Sequence, residues 1–179
     1  MGCMLQGVNL FLVGMMGAGK STVGRELAQR MSYRFLDTDA LVEQISGRSV
    51  QQIFAESGEA SFRQLEQQVL SELATYTRLV VATGGGIVQD ASNWSYLHHG
   101  IVVWLDVAIE ELLSRLRHDP TPRPLLLESP DPAAVLQRLL DQRQDRYRQA
   151  DLHITVLAGE SPATIAQRIL EQLPTILKQ

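Results

Sequence analysis

Short apolar runs punctuate the chain at residues 8–13, near 33–36, and at 79–82, 101–105 and 152–156. Each is bounded by turn or helix signals, and amphipathic stretches lie between them. Runs of this kind predict strands, and strands alternating with helices predict a parallel sheet with helices on both faces. Right-handed crossovers are then the default. After the first run, Val23, Leu27, Ala28 and Met31 recur at helical spacing. Towards the end, Ile165, Ile169, Leu170 and Leu173 share one face of a helix over 162–173, with Pro162 tolerated at its start. The chain shows no internal repeat.

Two segments depart from the alternation. Residues 38–76 are too long for one crossover helix and predict two or three, broken at Gly47 and Gly58, with Ser49 as a cap. This is a candidate subdomain. Residues 118–132 hold five of the seven prolines (Pro120, Pro122, Pro124, Pro130 and Pro132), so they predict a long surface loop. Such a loop is either a lid over a site or an inert connector.

Two helical wheels carry charges where apolar residues are expected. Over 60–76, Phe62, Leu65, Val69, Leu70 and Leu73 form one face; Glu66 falls inside it and Arg63 at its edge. A buried carboxylate without a partner is costly, and Arg63 lies three residues away, within reach. Either the two form a structural ion pair or Glu66 aims Arg63 at a ligand anion. Over 132–150, Arg143 sits in the middle of a face made by Leu136, Leu139, Leu140 and Tyr147. It snorkels, joins a structural salt bridge, or binds a ligand carboxylate, which a guanidinium can grip through two parallel hydrogen bonds.

The 179 residues suffice for one domain with a small insertion, and 45% hydrophobic content is enough for a full core. A net charge of −4 argues against general binding to nucleic acid or acidic membranes, so an anionic ligand must be met by local arginines. Cys3 is the single cysteine, which excludes an internal disulfide and suits a reducing cytosol. His98, His99, His118 and His153 lack metal-ligand spacing. Neither a signal peptide nor a membrane span is expected, and Gln6 stands where a myristoylation signal would want Ser or Thr. There are 14 Arg but only two Lys, Lys20 and Lys178. A chain so poor in lysine has kept one at a position where chemistry needs it.

That position lies in Gly14-Met15-Met16-Gly17-Ala18-Gly19-Lys20-Ser21-Thr22, which fits the G-x-x-x-x-G-K-[ST] phosphate loop. Its glycines let backbone N–H groups turn onto phosphate oxygens, and the helix that follows points its positive end at the same anion. Lys20 would reach the β- and γ-phosphates, and Ser21 would ligate Mg²⁺. The alternative is a glycine-rich turn without a ligand, but the order strand, loop, helix is the one the motif requires. Phe35-Leu36-Asp37-Thr38-Asp39 ends the second strand run. Residues two apart in an extended chain point the same way, so Asp37 and Asp39 project from one side, at the strand end where α/β sheets bind ligands. One would hold Mg²⁺ and the other would take a proton from a substrate hydroxyl; the simpler alternative is a helix N-cap. Thr83 and the triplet Gly84-Gly85-Gly86 follow the third run, offering close backbone approach to a ligand, with Thr83 helping to order the metal's water shell. Arg123, inside the Pro-rich loop, could stabilise charge on a transferring phosphoryl group.

In combination these motifs resemble the shikimate kinase family over nearly the whole chain. The resemblance rests on Gly14–Thr22 continuing into Val23-Gly24-Arg25, on Phe35-x-Asp37-Thr38-Asp39, on the block from Gly47-Arg48-Ser49-Val50 through Ile53-Phe54 and Gly58-Glu59 to Phe62-Arg63-x-x-Glu66, on Gly84–Gly86, on Arg123-Pro124-Leu125, and on Arg143-x-x-x-Tyr147. It implies an α/β three-layer P-loop NTPase fold of nucleoside-monophosphate-kinase type. That fold has a five-stranded parallel sheet, a helical substrate-binding subdomain over 38–76 and a lid over 118–132. It implies ATP with Mg²⁺, and phosphorylation of the 3-hydroxyl of shikimate in aromatic amino-acid biosynthesis. By the same resemblance, Lys20 and Arg123 contact phosphate, while Ser21 and Asp37 serve the metal. Asp39 receives or orients the hydroxyl; Arg63, Arg143 and Gly84–Gly86 hold shikimate, with Glu66 supporting Arg63. Arg117, before the lid, and Pro162, near the last helix, bracket the adenine; the lid is about one residue shorter than in some relatives. An ordinary Asp, with a pKa of about 3.9, is a poor early proton acceptor, so orientation is the larger expected role of Asp39. A monomeric cytoplasmic enzyme is the expectation, with no nucleic-acid or membrane partner. A kinase for another small polyol acid such as gluconate is the nearest rival. A non-catalytic nucleotide-binding protein is the rival from another class.

Overall fold

A computed structural model describes residues 5–123, 126 and 129–177. Cys3, Pro124, Leu125 and Lys178 lie outside the described residues. All five expected strands form: β1 (Leu10–Val13), β2 (Arg34–Asp37), β3 (Leu79–Ala82), β4 (Ile101–Val107) and β5 (Leu152–Val156). They make one sheet in the order β2-β3-β1-β4-β5, with every pairing parallel. The inner strands β1 and β3 are buried along their whole length, as a parallel sheet covered on both faces requires. The edge strand β5 alternates buried and exposed residues.

Helices α1 (Lys20–Met31), α2 (Thr38–Ser46), α3 (Val50–Leu73), α4 (Ala91–Leu97), α5 (Ile109–His118), α6 (Pro132–Tyr147) and α7 (Pro162–Leu177) fill the connections. Residues 38–73 are helical apart from breaks at both expected glycines, Gly47 and Gly58. Gly47 ends α2 in the left-handed region (φ 67°), and Ser49 starts α3 with a full capping box to Gln52. Gly58, at φ 81° and ψ 172°, leaves helical geometry, so α3 is two helical pieces meeting at a kink, as the sequence predicts. The second half of α3 stops at Leu73, short of the expected 76, and α6 stops at Tyr147, short of 150. In contrast, α7 runs past the expected 173 and through Pro174. The described residues of the Pro-rich segment between α5 and α6 are non-helical, as expected. None of the described helices is long and apolar enough to cross a membrane.

Strand register positions the site. Asp37 pairs with Ala82, and Ala82 with Leu12, so β2, β3 and β1 end on one row. The loops that leave those ends carry Asp37 to Asp39, Thr83 to Gly86, and Gly14 to Gly19. The chain then crosses to β4 on the other side of β1, so β1 marks the point where strand order reverses. That is where an open α/β sheet binds its ligand.

Candidate active site

The loop after β1 closes on itself through an Ala18 N–H bond to the Met15 carbonyl, 3.1 Å. Gly19, at φ 91°, precedes α1 and offers no side-chain cap, so the first-turn N–H groups of α1 stay available to an anion. Lys20 Nζ donates to the carbonyls of Gly14 (2.8 Å) and Met15 (2.9 Å), which holds the ammonium over the loop. Burial lowers its pKa to about 8, against the pull of Asp39 and Asp37. Thr22 Oγ1 bonds its own helix start at the Gly19 carbonyl, 3.0 Å.

Ser21 Oγ donates to Asp37 Oδ2 at 2.7 Å. Asp37 is also the N-cap of α2: its Oδ1 accepts the N–H groups of Asp39 (3.0 Å) and Ala40 (3.3 Å). Cap and site residue are therefore one, each oxygen serving one purpose. This corrects the expectation that Asp37 and Asp39 project from a continuing strand. The strand ends at Asp37, and Asp39 belongs to the first turn of α2. Asp39 nonetheless faces the site, with Oδ1 buried and without a partner. Its carboxyl is held above the usual range, first by burial and then by the Asp37 charge, with Lys20, Arg123 and Arg63 opposing. The ordinary carboxyl assumed from sequence is thus also corrected.

Glu66 is fully buried and receives Arg63 Nη1 at 2.8 Å, while Glu59 holds the other side of the guanidinium at 3.0 Å. Arg63 still lines the cavity, so pairing and site membership coexist. Arg143 is 1% exposed, and its Nε and Nη1 have no hydrogen-bond partner. Neither snorkelling nor a structural salt bridge accounts for it. Crowding leaves little room for side chains at Gly84 and Gly86. A Cβ on Gly84 would fall on Glu66 Oε1 and reach within 3.0 Å of Asp39 Oδ1, and one on Gly86 would lie 2.6 Å from Arg63 Cζ. Thr83 is buried and does not line the cavity; its hydroxyl donates to the Leu12 carbonyl at 2.8 Å, stitching β3 to β1.

A cavity of about 400 Å³ collects these groups; Ser21, Asp39, Arg63, Gly85, Arg123 and Arg143 all line it. Arg123 is held by Asp119 at 2.7 Å. Arg117 and Pro162 lie outside this cavity, both exposed; Arg117 lines a separate groove beside the Pro-rich segment.

Two groups were missed from sequence. Thr38 Oγ1, fully buried, accepts the Gly84 N–H at 2.9 Å and ties the glycine triplet to α2. Arg115 Nη1 donates to the carbonyls of Gly17 (3.4 Å) and Ala18 (3.2 Å), bracing the phosphate loop from α5. Glu111 at i−4 makes Arg115 read as a solvated helix pair, so no local signal separates it.

A loop of free N–H groups at a helix start, a lysine within it and a hydroxyl-carboxylate pair define a P-loop phosphotransferase fold and site. Comparison with known proteins narrows the class. The family model described as shikimate kinase matches residues 16–174. The shikimate kinase of Trichormus variabilis is 55% identical over 179 residues, covering 100% of this chain and 98% of the relative. That of Synechococcus elongatus is 57% identical over 174 residues, covering 97% and 90%. Among solved structures, shikimate kinase from Acinetobacter baumannii in complex with shikimate superposes with a TM-score of 0.86 at 40% identity, covering 94% of this chain and 93% of that one. The chain belongs to the shikimate kinase family.

Proposed function

We infer that the chain transfers the γ-phosphoryl group of ATP to the 3-hydroxyl of shikimate, giving shikimate 3-phosphate and ADP for aromatic amino-acid biosynthesis. One observation carries this beyond family membership: a buried, unpartnered guanidinium, Arg143, shares a cavity with the phosphate loop and with the unpartnered Asp39 carboxylate. That cavity suits an acceptor with a carboxylate at one end and a hydroxyl at the other. The test is a coupled ADP-release assay with shikimate, with gluconate and without acceptor. ADP should form on shikimate alone. Equal turnover on gluconate, or none on either, overturns the reading.

In this reading the P-loop amides, Gly14–Thr22, take the phosphates, and Lys20 exchanges its two loop carbonyls for phosphate oxygens. Arg123 offsets charge on the transferring group. Arg63, aimed by Glu66, and Arg143 grip the shikimate carboxylate, while Gly84–Gly86 lie against its ring. Asp39 orients the hydroxyl and takes its proton. Arg117 and Pro162 bracket the adenine. Residues 38–76 act as the substrate-binding subdomain and 118–132 as the lid of a monomeric, cytoplasmic enzyme. The Ser21 hydroxyl and Asp37 carboxylate are hard oxygen donors that fit Mg²⁺. Among the described residues no cluster of three or more His, Cys, Asp or Glu could hold a metal by itself. That suits a cation that keeps water and phosphate ligands. When bound, Mg²⁺ would neutralise phosphate charge.

The titrations give a testable pH profile. Asp39 acts as a carboxylate, and its pKa is raised above 3.8, so kcat/KM for shikimate should rise with pH through that higher value. Lys20 acts as an ammonium and titrates at about 8 in the free enzyme, so kcat/KM for ATP should fall as pH passes it. Asp39→Asn should lower kcat by about a hundredfold or more and remove the acid limb. For stability the sign is opposite. A raised folded-state pKa means that stability falls as pH rises from 3.8 through the raised value. Asp39→Asn should therefore raise Tm at neutral pH. A wild-type acid limb in that variant would contradict the assignment.

A further inference from the structure

Tyr147 closes α6 one helical turn after Arg143, and it is fully buried. Its ring stacks on Trp104 of β4, with 5.6 Å between centroids and 21° between planes. That packing accounts for the ring, and a phenylalanine would stack equally well. It does not account for the hydroxyl, which donates to the Gly85 carbonyl at 2.7 Å and lies 3.8 Å from Met15 Sδ. Three segments of the site, the phosphate loop, the glycine triplet and α6, thus meet at one oxygen.

A glycine triplet has no side chains to anchor it, so its placement must come from its peptide groups. The Gly84 N–H is held by Thr38, and the Gly85 carbonyl by Tyr147. The first bond ties the triplet to α2, which carries Asp39. The second ties it to α6, which carries Arg143. The two ties converge where packing is tight, for a Cβ on Gly85 would lie 3.2 Å from Arg143 Nη1. Burial pushes the phenol up to about 12, so it stays a proton donor throughout the range in which such an enzyme works.

We propose that the Tyr147 hydroxyl is a positioning group for the acceptor: it fixes the Gly85 peptide against Arg143, so that loop backbone and guanidinium present one rigid surface to the substrate. The proposal rests on the shikimate-phosphorylating reading. Losing this bond leaves a half-buried carbonyl without its donor and lets the triplet move relative to α6. Binding of the acceptor therefore weakens, while the nucleotide half keeps its own contacts.

The experiment compares wild type, Tyr147→Phe and Trp104→Phe by calorimetric titration with shikimate and with ATP, alongside Tm. Trp104→Phe loosens the stack but keeps the hydroxyl, so it serves as the packing control. Tyr147→Phe should raise the shikimate Kd by about tenfold and leave that for ATP within about twofold. Trp104→Phe should lower Tm at least as much without moving the shikimate Kd. An unchanged shikimate Kd in Tyr147→Phe overturns the proposal. So does an equal rise in Trp104→Phe, which would make the effect one of packing alone. In the same folded Tyr147→Phe protein, the amides of Ile87 and Gln89, bonded to Gly84 and Gly86, should exchange faster; unchanged exchange also counts against it. Failure of wild type to bind shikimate would instead remove the underlying reading of function.

Discussion

Replacing Lys20 by Met should lower kcat by about a thousandfold or more, while the protein stays folded. Phosphoryl transfer needs little covalent help from the enzyme; it needs placement and charge. In the proposed reading Lys20 supplies both, since its ammonium already sits over the loop, held by the Gly14 and Met15 carbonyls. Those bonds are weaker partners than phosphate oxygens, so the exchange on nucleotide binding is downhill. Methionine has similar length and no charge, so the loop keeps its packing. Stability should not fall. The folded protein holds Lys20 at about 8, against an ordinary 10.5, which means that folding opposes its charge. Removing a charge that folding opposes should leave Tm equal or higher at neutral pH. The measurements are steady-state turnover with saturating shikimate and a thermal melt of the same preparation. Wild-type-like turnover in Lys20→Met would remove the phosphate-loop mechanism.

How far this site was legible depends on how local each signal is. The inner strands were readable because a parallel strand buried on both faces is a continuous apolar run, whereas the edge strands β2 and β5 carry polar positions and were readable from the turn and helix signals that bound them. The phosphate loop was readable because its chemistry is backbone chemistry at consecutive positions. Arg143 announced itself as a charge in an apolar wheel, yet the wheel could not say what it faced. Only the fold shows that, among the described residues, no carboxylate bridges it and that Gly85 lies against it. The Asp37/Asp39 pair was found for a partly wrong reason. Extended geometry was assumed through Asp39, whereas capping by Asp37 turns the chain into α2 at that point. Thr83 was misassigned because a hydroxyl beside three glycines reads as a ligand group, while here it bonds a neighbouring strand. Thr38, Arg115 and Tyr147 act through hydrogen bonds to backbone far away in sequence, and such contacts leave no periodicity to read.

Arg143→Ala carries the second large expected effect, and it falls on the acceptor half of the site. Removing one partner of a desolvated charge pair costs roughly 2–5 kcal/mol, or about thirtyfold or more in Kd. Arg143 should lie within that range because it is already desolvated, with Nε and Nη1 free of partners among the described residues. The free enzyme holds the guanidinium ready, and no internal salt bridge must break before substrate binds. The Arg63 side differs, because Glu66 and Glu59 hold that guanidinium at 2.8 and 3.0 Å. Arg143→Ala should therefore raise the shikimate Kd far more than the ATP Kd, and kcat at saturating shikimate should fall less than kcat/KM. Arg143→Lys should recover only part of the loss, since an ammonium keeps the charge but not the planar two-point grip. Parallel titrations of the two variants with shikimate and ATP decide it. If Arg143→Ala binds shikimate as tightly as wild type, the carboxylate is held elsewhere. If Arg143→Lys is fully active, the charge is what matters and the bidentate geometry is not.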